Sequence, residues 1–492
     1  MLCHRNAVIY VGLFHFRPTF EVIGERELDS EITAAIDSEM AAFVKMFPQV
    51  FVDHLVEQTN LYASLSNENF NPVTTSEMLT FIGILYLTGY VRLPARDMYW
   101  ERSADTHQSF VSDAMRRDRF REIFRYIHLA DNMRMDNDKY YKVRPIFRIL
   151  NEAFKSCAAY ADFSVDESII PYFGKHGTKQ FIRGKPIRFG FKLWCLTSKD
   201  GYLVHAEPYC GSHTDLPTTG MGQGSDVVLG LIEKSQVLNQ GCTVTFDNLF
   251  TSLPLLDKLT EMGIGGTGTI RDNRLQKAPV SSKKETERKC RGAFESVNDG
   301  SNLLVRWNDN KAVTVATNYL PCAPTKLVRR FSKKERKTIE VPMPLPLQVY
   351  NEKMGGVDIF DQFVATYRIR MRSKKWWWPF LSWGLTAAMV NAWLLYRRVR
   401  DRKLSLLTFH RQIVQHLIST NGSLPKVPGR PSTVQGSAAT AQRVSGFGDH
   451  NLIHGSSRYC RCKQCGRRTT FKCSLCKVPL HVECQTLYHS QR

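Results

Sequence analysis

From about Ser30 to Tyr160 the apolar residues recur with the period of a helix. Phe43, Phe47 and Phe51 are spaced by four, and Met78, Leu79, Phe81, Ile82, Leu85 and Tyr86 continue such a stripe, which predicts amphipathic helices. Thr75-Ser76-Glu77 precedes that second stripe and marks a helix start. Asp118 to Tyr126 interleaves arginines with aromatic residues, placing the charges on one helical face and a core stripe on another. The pattern then shortens. Asp162 to Ile170 reads as a strand, and Arg188–Thr197 with Tyr202–Tyr209 as a hairpin around Lys199-Asp200-Gly201, because Asp-Gly favours a tight turn. Ser225–Leu238 is an amphipathic helix, Thr243–Phe246 a strand, Leu253–Met262 a helix stopped by Gly263, and Gly265–Ile270 another strand. Three strands, then helix, strand, helix and strand is an α/β order.

Asn273 to Pro346 breaks this alternation. It is basic, holds strand-like runs at Asn302–Trp307 and Ala312–Ala316, and carries the cationic run Arg329–Lys337; it reads as an insertion. Leu347 to Tyr367 resumes as helix, with Gly355-Gly356 ahead of Asp358. Trp376 to Tyr396 is 21 residues without a charge, and hydropathy alone nominates it as a membrane helix. It contains Pro379, Ser382, Gly384, Thr386 and Asn391, and no second span exists, so a helix buried in a large core is the better reading. The apolar run Ala7–Phe14 is short for a span. Its length suits a signal-peptide core, but no small-residue cleavage pattern follows. Asn421 to Ser457 is rich in Gly, Ser, Pro, Thr and Ala and reads as a flexible linker.

Charge narrows the class of partner. The 492 residues carry 67 Lys and Arg against 46 Asp and Glu, a net charge of +21. The excess is uneven: residues 1–60 have four basic and nine acidic side chains, and residues 421–492 have eleven and two. A basic body behind an acidic leader suggests a polyanionic partner, although charge alone does not separate nucleic acid from anionic membrane. Six of the 13 cysteines fall in the last 33 residues, in metal-ligand spacing rather than a disulfide framework, which points to a reducing intracellular compartment.

Three aspartates carry the chemistry. Asp166 lies in Phe163-Ser164-Val165-Asp166-Glu167-Ser168, Asp247 ends Cys242-Thr243-Val244-Thr245-Phe246, and Asp358 follows Gly355-Gly356-Val357 three residues before Asp361. The first two sit at the ends of β-branched, aromatic runs that read as buried strands. A carboxylate at a strand mouth has a fixed backbone and open oxygens, and several of them suit hard divalent cations. Two metals so held activate a water and stabilise a leaving oxygen in phosphodiester cleavage. Any one such aspartate, taken alone, is ordinarily a strand-end or helix-cap residue; the three together make the case.

These strings resemble the piggyBac transposases and their domesticated derivatives. Ser164 to Tyr172 is similar to the family's first catalytic strand, Lys185-Pro186 through Gly190 and Lys192 to its Lys-Pro/Gly/Lys string, Phe246 to Ser252 to its second acidic motif, and Gly355 to Gln362 to its third. The resemblance implies an α/β, RNase H-like catalytic core with an inserted β-rich subdomain, a helical N-terminal region and a small C-terminal zinc domain. It divides the chain into a poorly ordered acidic N-terminus (1–30), a helical dimerisation and DNA-binding region (31–160), the core (161–272 and 347–372) around the insertion (273–346), C-terminal helices (373–420), a linker (421–457) and a cysteine-rich domain (458–492). It implies two Mg²⁺ ions on Asp166, Asp247 and Asp358 with Asp361 accessory, nicking at transposon ends followed by hairpin formation and transfer into TTAA, a homodimer without a membrane partner, and a nuclear location. A second class of function stays open: a nuclear DNA- or chromatin-binding derivative that keeps the fold and makes no cuts.

Lys185, Arg188 and Lys192 follow the first strand, and Arg372, Lys374 and Lys375 precede Trp376-Trp377-Trp378; both groups are candidate phosphate contacts, against the alternatives of solvated face and, for the indoles, core. The arginines from Arg397 to Arg402 read the same way. At the C-terminus Cys462/Cys465, Cys473/Cys476 and His481/Cys484 form three close pairs, with His489 a seventh candidate. Thiolate and imidazole at this spacing suit Zn²⁺, and a segment this short needs metal for stability. The family's cross-braced domain implies Cys462, Cys465, His481 and Cys484 on one zinc and Cys473, Cys476 and His489 on a second. Its eighth ligand would fall about where the sequence stops, with Cys460 the nearest substitute, so one or two zinc ions are expected.

Overall fold

A computed structural model describes residues 9–11, 20–66, 69–182, 187–333, 335–422, 450–454 and 460–490. The chain divides into two compact units, Met1–Leu424 and Pro425–Arg492.

In the first unit β1 (Ile9–Val11) precedes a run of helices: α1 (Ser30–Ala35), α2 (Glu39–Met46), α3 (Gln49–Ser66), α4 (Thr75–Tyr90), α5 (Ser109–Ser112), α6 (Arg117–Tyr126) and α7 (Arg144–Lys155). Phe43, Phe47 and Phe51 are all buried, but their stripe crosses a break at Phe47-Pro48, where proline disfavours helical backbone in the residue before it. Thr74 caps α4 in a reciprocal capping box with Glu77, one residue ahead of the expected start.

A ten-stranded mixed sheet follows. Its strands are β2 (Asp162–Pro171), β3 (Gln180–Phe181), β4 (Phe189–Ser198), β5 (Leu203–Pro208), β6 (Thr243–Phe246), β7 (Gly265–Thr269), β8 (Phe294–Asn298), β9 (Leu303–Asn308) and β10 (Ala312–Thr317), with β1 at one edge. β2 lies antiparallel to β4 and parallel to β6, β6 runs parallel to β7, and β5 pairs with β4 as the expected hairpin. Helices α8 (Gln223–Ser235) and α9 (Leu253–Glu261) stand where the sequence predicts them.

Two expectations change. The segment 273–346 is not wholly a separate insertion: after α10 (Lys283–Arg288), β8, β9 and β10 extend the main sheet, since β10 pairs antiparallel with β7. Only β11 (Lys326–Ser332) and β12 (Lys337–Met343) form their own two-stranded sheet. The N-terminus is not wholly irregular either, because Ile9–Val11 pairs in parallel with Glu295–Val297.

The predicted helix 347–367 is two helices, α11 (Leu345–Lys353) and α12 (Gly356–Thr366), broken at Met354-Gly355. Next come α13 (Trp378–Val399) and α14 (Leu406–Asn421). The uncharged stretch is therefore a core helix, and no helix among the described residues is long and apolar enough to cross a membrane. Its buried Asn391 shows why a polar residue belongs there: the amide accepts from Leu203 N at 2.9 Å and donates to Leu203 O at 2.7 Å, completing the free edge of β5. Tyr86 of α4 donates to Leu385 O at 2.7 Å, tying the helical region to the same helix.

The second unit holds β13 (Leu452–His454), β14 (Cys460–Arg461), β15 (Arg468–Thr469), β16 (Phe471–Cys473) and α15 (Gln485–Ser490). β13 pairs with β16, so this unit's ordered structure begins ahead of the expected boundary at 458. Most of the expected linker, residues 423–449, lies outside the described residues.

Candidate active site and metal-ligand groups

Asp166 sits mid-strand in β2 rather than at a strand end, yet the pairing partner on one side stops beside it. The parallel register of β2 and β6 ends at Val165↔Phe246, and Asp166 and Asp247 are the next residues along the two chains, Asp247 just past the end of β6. Side chains alternate along a strand. Phe163 and Val165 bury in the core, and Ser164, Asp166 and Ser168 share the other face.

Helix α12 packs on that face. A methyl on Gly356 would meet Ser198 O at 2.3 Å and Thr197 Oγ1 at 2.6 Å, so only glycine allows this approach. Ser164 Oγ donates to Met354 O at 2.7 Å, and Ser168 Oγ donates to Asp361 Oδ1 at 2.7 Å. Asp358 and Asp361, three apart, share a flank of the helix. Asp361 is half-buried against β2, whereas Asp358 lies farther round and is exposed. Asp361, expected as the accessory carboxylate, is thus the one of the pair bonded to the strand of Asp166.

Asp247 opens a tight loop. Its Oδ1 accepts from Leu249 N at 2.7 Å, and its carbonyl accepts from Thr251 Oγ1 at 2.8 Å. Buried Cys195 and half-buried Tyr350 lie within the field of these carboxylates. Burial pushes the Cys195 thiol well up, and Asp361 and Asp166 push it further. Burial likewise raises the Tyr350 phenol, against a hydrogen bond from Thr269, with Asp247 and Asp166 adding to the rise. The four carboxylates nonetheless stand wider than the compact ligand groups described below: no three of them offer one oxygen each within 4.8 Å of one another.

The expected phosphate contacts have mixed fates. Arg188, Arg372 and Lys374 are exposed, and Lys185 lies outside the described residues. Lys192 sits 3.5 Å from Glu167 Oε2 and 3.9 Å from the centre of the Trp194 ring. Lys375 donates to the carbonyls of Phe124, Arg125 and Ile127 at 3.2, 2.9 and 2.8 Å; burial, with Lys142 nearby, pushes its ammonium down to about 7. It caps the end of α6 instead of facing solvent. Trp377 and Trp378 are buried, and Arg398 and Arg400 donate to carbonyls of the N-terminal region, so much of that cluster holds the fold together.

The sequence reading missed three groups around the acidic face. Tyr350 precedes it on α11, and Arg271 and Arg274 follow β7; Arg271 Nε donates to Asn248 Oδ1 at 2.9 Å. No local motif signals them, because their role comes from packing across the sheet.

In the second unit two sets of ligand atoms gather within 4.8 Å: Cys462, Cys465, His481 and Cys484, and His450, Cys473, Cys476 and His489. Tetrahedral zinc with sulfur and nitrogen at about 2.3 and 2.0–2.1 Å needs ligand atoms about 3.5 Å apart. Cys465 Sγ lies 3.3 Å from His481 Nδ1, and His450 Nδ1 lies 3.4 and 3.3 Å from the sulfurs of Cys473 and Cys476. His481 Nε2 meets Arg468 O at 2.8 Å, which leaves Nδ1 for the group. The donor sets fit zinc. The eighth candidate donor is His450, from the segment read as linker; Cys460, exposed on β14, belongs to neither set.

A family model described as Transposase IS4 matches residues 38–393. The human PiggyBac transposable element-derived protein 3 is 40% identical over 444 residues, 89% of this chain and 74% of that protein. The human PiggyBac transposable element-derived protein 2 is 35% identical over 460 residues, 92% and 76%. The cryo-EM structure of a piggyBac transposase synaptic complex with hairpin DNA superposes with a TM-score of 0.70 at 20% identity, covering 94% of this chain and all of that one, which establishes the shared mixed α/β fold. With the strand order, the acidic motifs and these similarities in agreement, the chain belongs to the piggyBac transposase family.

Proposed function

We propose that the chain is a piggyBac-type DNA transposase whose RNase H-like core cleaves and joins DNA strands at TTAA. The strand order β5-β4-β2-β6-β7, antiparallel then parallel, supports the RNase H-like reading. The single observation that supports the function is that Asp166 and Asp247 each follow the last paired residues of neighbouring β2 and β6, while Asp361 of α12 bonds to Ser168 of β2.

Asp166, Asp247 and Asp358, with Asp361 accessory, would hold two Mg²⁺ ions, which when bound would activate the attacking oxygen and offset negative charge on the phosphoryl and leaving oxygens. The sheet fixes the backbones of Asp166 and Asp247. Ser168 orients Asp361, and the bond from Leu249 N to Oδ1 orients Asp247. Exposed Arg188, Arg372 and Lys374 supply phosphate contacts. The aromatic residues Phe181 and Phe189, 59% and 39% exposed, with ring centres 5.0 Å apart and planes tilted by 38°, offer faces next to Arg188 for unstacked bases. The tail's two donor sets bind structural zinc, and its basic residues contact DNA phosphate. Terminal repeats, a TTAA target, a homodimer and a nuclear location complete the reading.

A second reading is favoured by the names of the two human relatives, which describe proteins derived from a transposable element: DNA or chromatin binding without cleavage. A nicking assay on DNA bearing TTAA and candidate terminal repeats separates the two. Divalent-dependent nicks support the transposase; DNA binding with no cleavage under Mg²⁺ or Mn²⁺ supports the derivative.

A further inference from the structure

Asp247 stands at the end of β6, a strand of only four residues, and the loop after it returns at once to α9 at Leu253. Local bonds alone hold such a loop weakly. From outside, Arg274 Nη1 donates to Leu249 O at 2.9 Å and to Thr251 O at 2.8 Å, with Asn248 O at 3.3 Å. One guanidinium nitrogen therefore gathers three successive parts of the Asp247 loop.

Arg274 is itself anchored. It lies in a single 3₁₀ turn, Asp272–Arg274, whose Asp272 Oδ1 accepts from Arg306 Nη2 at 2.7 Å. Arg306 is 2% exposed on β9. It also donates through Nε to Thr314 Oγ1 at 2.9 Å and through Nη1 to Ser281 O. A buried guanidinium bonded on all three nitrogens is a fixed post, because losing a partner leaves its own N–H unsatisfied in the interior; Asp272, 47% exposed, is the link that reaches out from it. The chain of contacts runs from the added strands β9 and β10, through Asp272, to Arg274 and the loop of Asp247. Burial, with Arg271 close by, lowers the Arg274 guanidinium, while Asp247 raises it; the cation and the carboxylate are within each other's field.

We propose that Arg274 is a positioning residue for Asp247, clamping the Asn248–Thr251 carbonyls so that the carboxylate keeps its place beside Asp166, with Arg306 and Asp272 as its footing. The inference rests on the acidic pair being a divalent-metal site. Partners that orient a metal ligand typically matter by about 10–100-fold in metal affinity, and this sets the expected size of the effect.

The test uses the full chain and two readouts: Mn²⁺ affinity from water-proton relaxation, with Asp247→Asn as reference, and amide hydrogen exchange across 247–252. Arg274→Gln should weaken Mn²⁺ by about 10–100-fold and speed exchange of the Leu249–Ser252 amides, while DNA affinity stays within about twofold, since a lost phosphate contact would change it far more. Arg274→Lys, which can keep one of the bonds, should recover part of both effects. Arg271→Gln, which loses only the Asn248 side chain, should do less than Arg274→Gln. Unchanged exchange in Arg274→Gln overturns the clamp. Lost DNA affinity with unchanged Mn²⁺ binding and exchange overturns it in favour of a phosphate contact. If the wild type shows no Asp247-dependent Mn²⁺ binding, the metal-site reading fails separately, and the exchange data still decide the clamp.

Discussion

At the scale of single residues, the core contains one histidine that the fold tolerates at a cost. His410 of α14 is fully buried among the rings of Tyr86, Tyr90 and Tyr367 at 5.5, 5.6 and 5.8 Å. Neither ring nitrogen finds a hydrogen-bonding partner of good geometry among the described residues. Burial pushes its pKa from 6.5 down to about 4, against a weaker upward pull from the Tyr86 carbonyl. The unfolded chain takes up this proton as pH falls through 6.5, and the folded chain does so only near 4. Between those values the unfolded state binds more protons, so stability falls as pH drops. His410→Leu should raise the denaturation midpoint at neutral pH by the equivalent of about 1–3 kcal/mol, the size of an unsatisfied buried polar group, and should reduce the acid slope between pH 6.5 and 4, with buried His128, also pushed down to about 4, keeping its own share. An unchanged slope in urea titrations would show that His410 is not the group responsible. The same scale shows what sequence could reveal. Asp166, Asp247, Asp358 and Asp361 stood out because short β-branched runs and a Gly-Gly pair mark their backbone contexts. Tyr350, Arg271 and Arg274 did not, because what brings them to the acidic face is the order of strands in the sheet.

Among elements, α12 is the one whose placement decides the site. Its first turn lies on β2 and β4 with no room for a side chain at Gly356. Gly356→Ala places a methyl against a backbone carbonyl and must lift the helix. Calorimetry should show a loss of about 1–3 kcal/mol, as for other overpacked sites, and Asp361 should lose its bond to Ser168. A variant as stable as the parent would mean that α12 does not sit so close. Lys375 gives a parallel case: Lys375→Ala strips three carbonyls at the end of α6 of their donor and should cost about 1–3 kcal/mol without weakening DNA binding, whereas a large loss of DNA affinity at unchanged stability would return it to the phosphate-contact group. Elements with a clear period were legible: the helices before 160, the β4–β5 hairpin, α8, β6, α9 and β7 lie within a few residues of where the pattern sets them. What was not legible was partnership. The strands at 294–317 were visible as strands, but nothing in their alternation says that β10 would pair with β7.

For the whole molecule, the two compact units divide the chemistry. The tail's apolar core consists of Cys462, Cys473, Val478 and Leu480, too little to fold without metal. Full-length protein should carry two zinc ions by metal analysis. His450→Ala should lower this to one and Cys460→Ser should leave two; the reverse pattern would restore Cys460 as the eighth ligand. His450 escaped the sequence reading because it stands 23 residues before Cys473 in a stretch whose composition resembles linker. In the larger unit, the central claim is that one acidic site, built by β2, β6 and α12, cuts DNA. The most direct measurement is strand cleavage by the wild-type chain and by Asp247→Asn on the same TTAA-bearing DNA, with Mg²⁺ or Mn²⁺ supplied and DNA affinity measured in parallel. The account predicts divalent-dependent cleavage by the wild type and none by Asp247→Asn, with DNA affinity within about twofold because no Lys or Arg phosphate contact is touched. Cleavage by Asp247→Asn at the wild-type rate would contradict it.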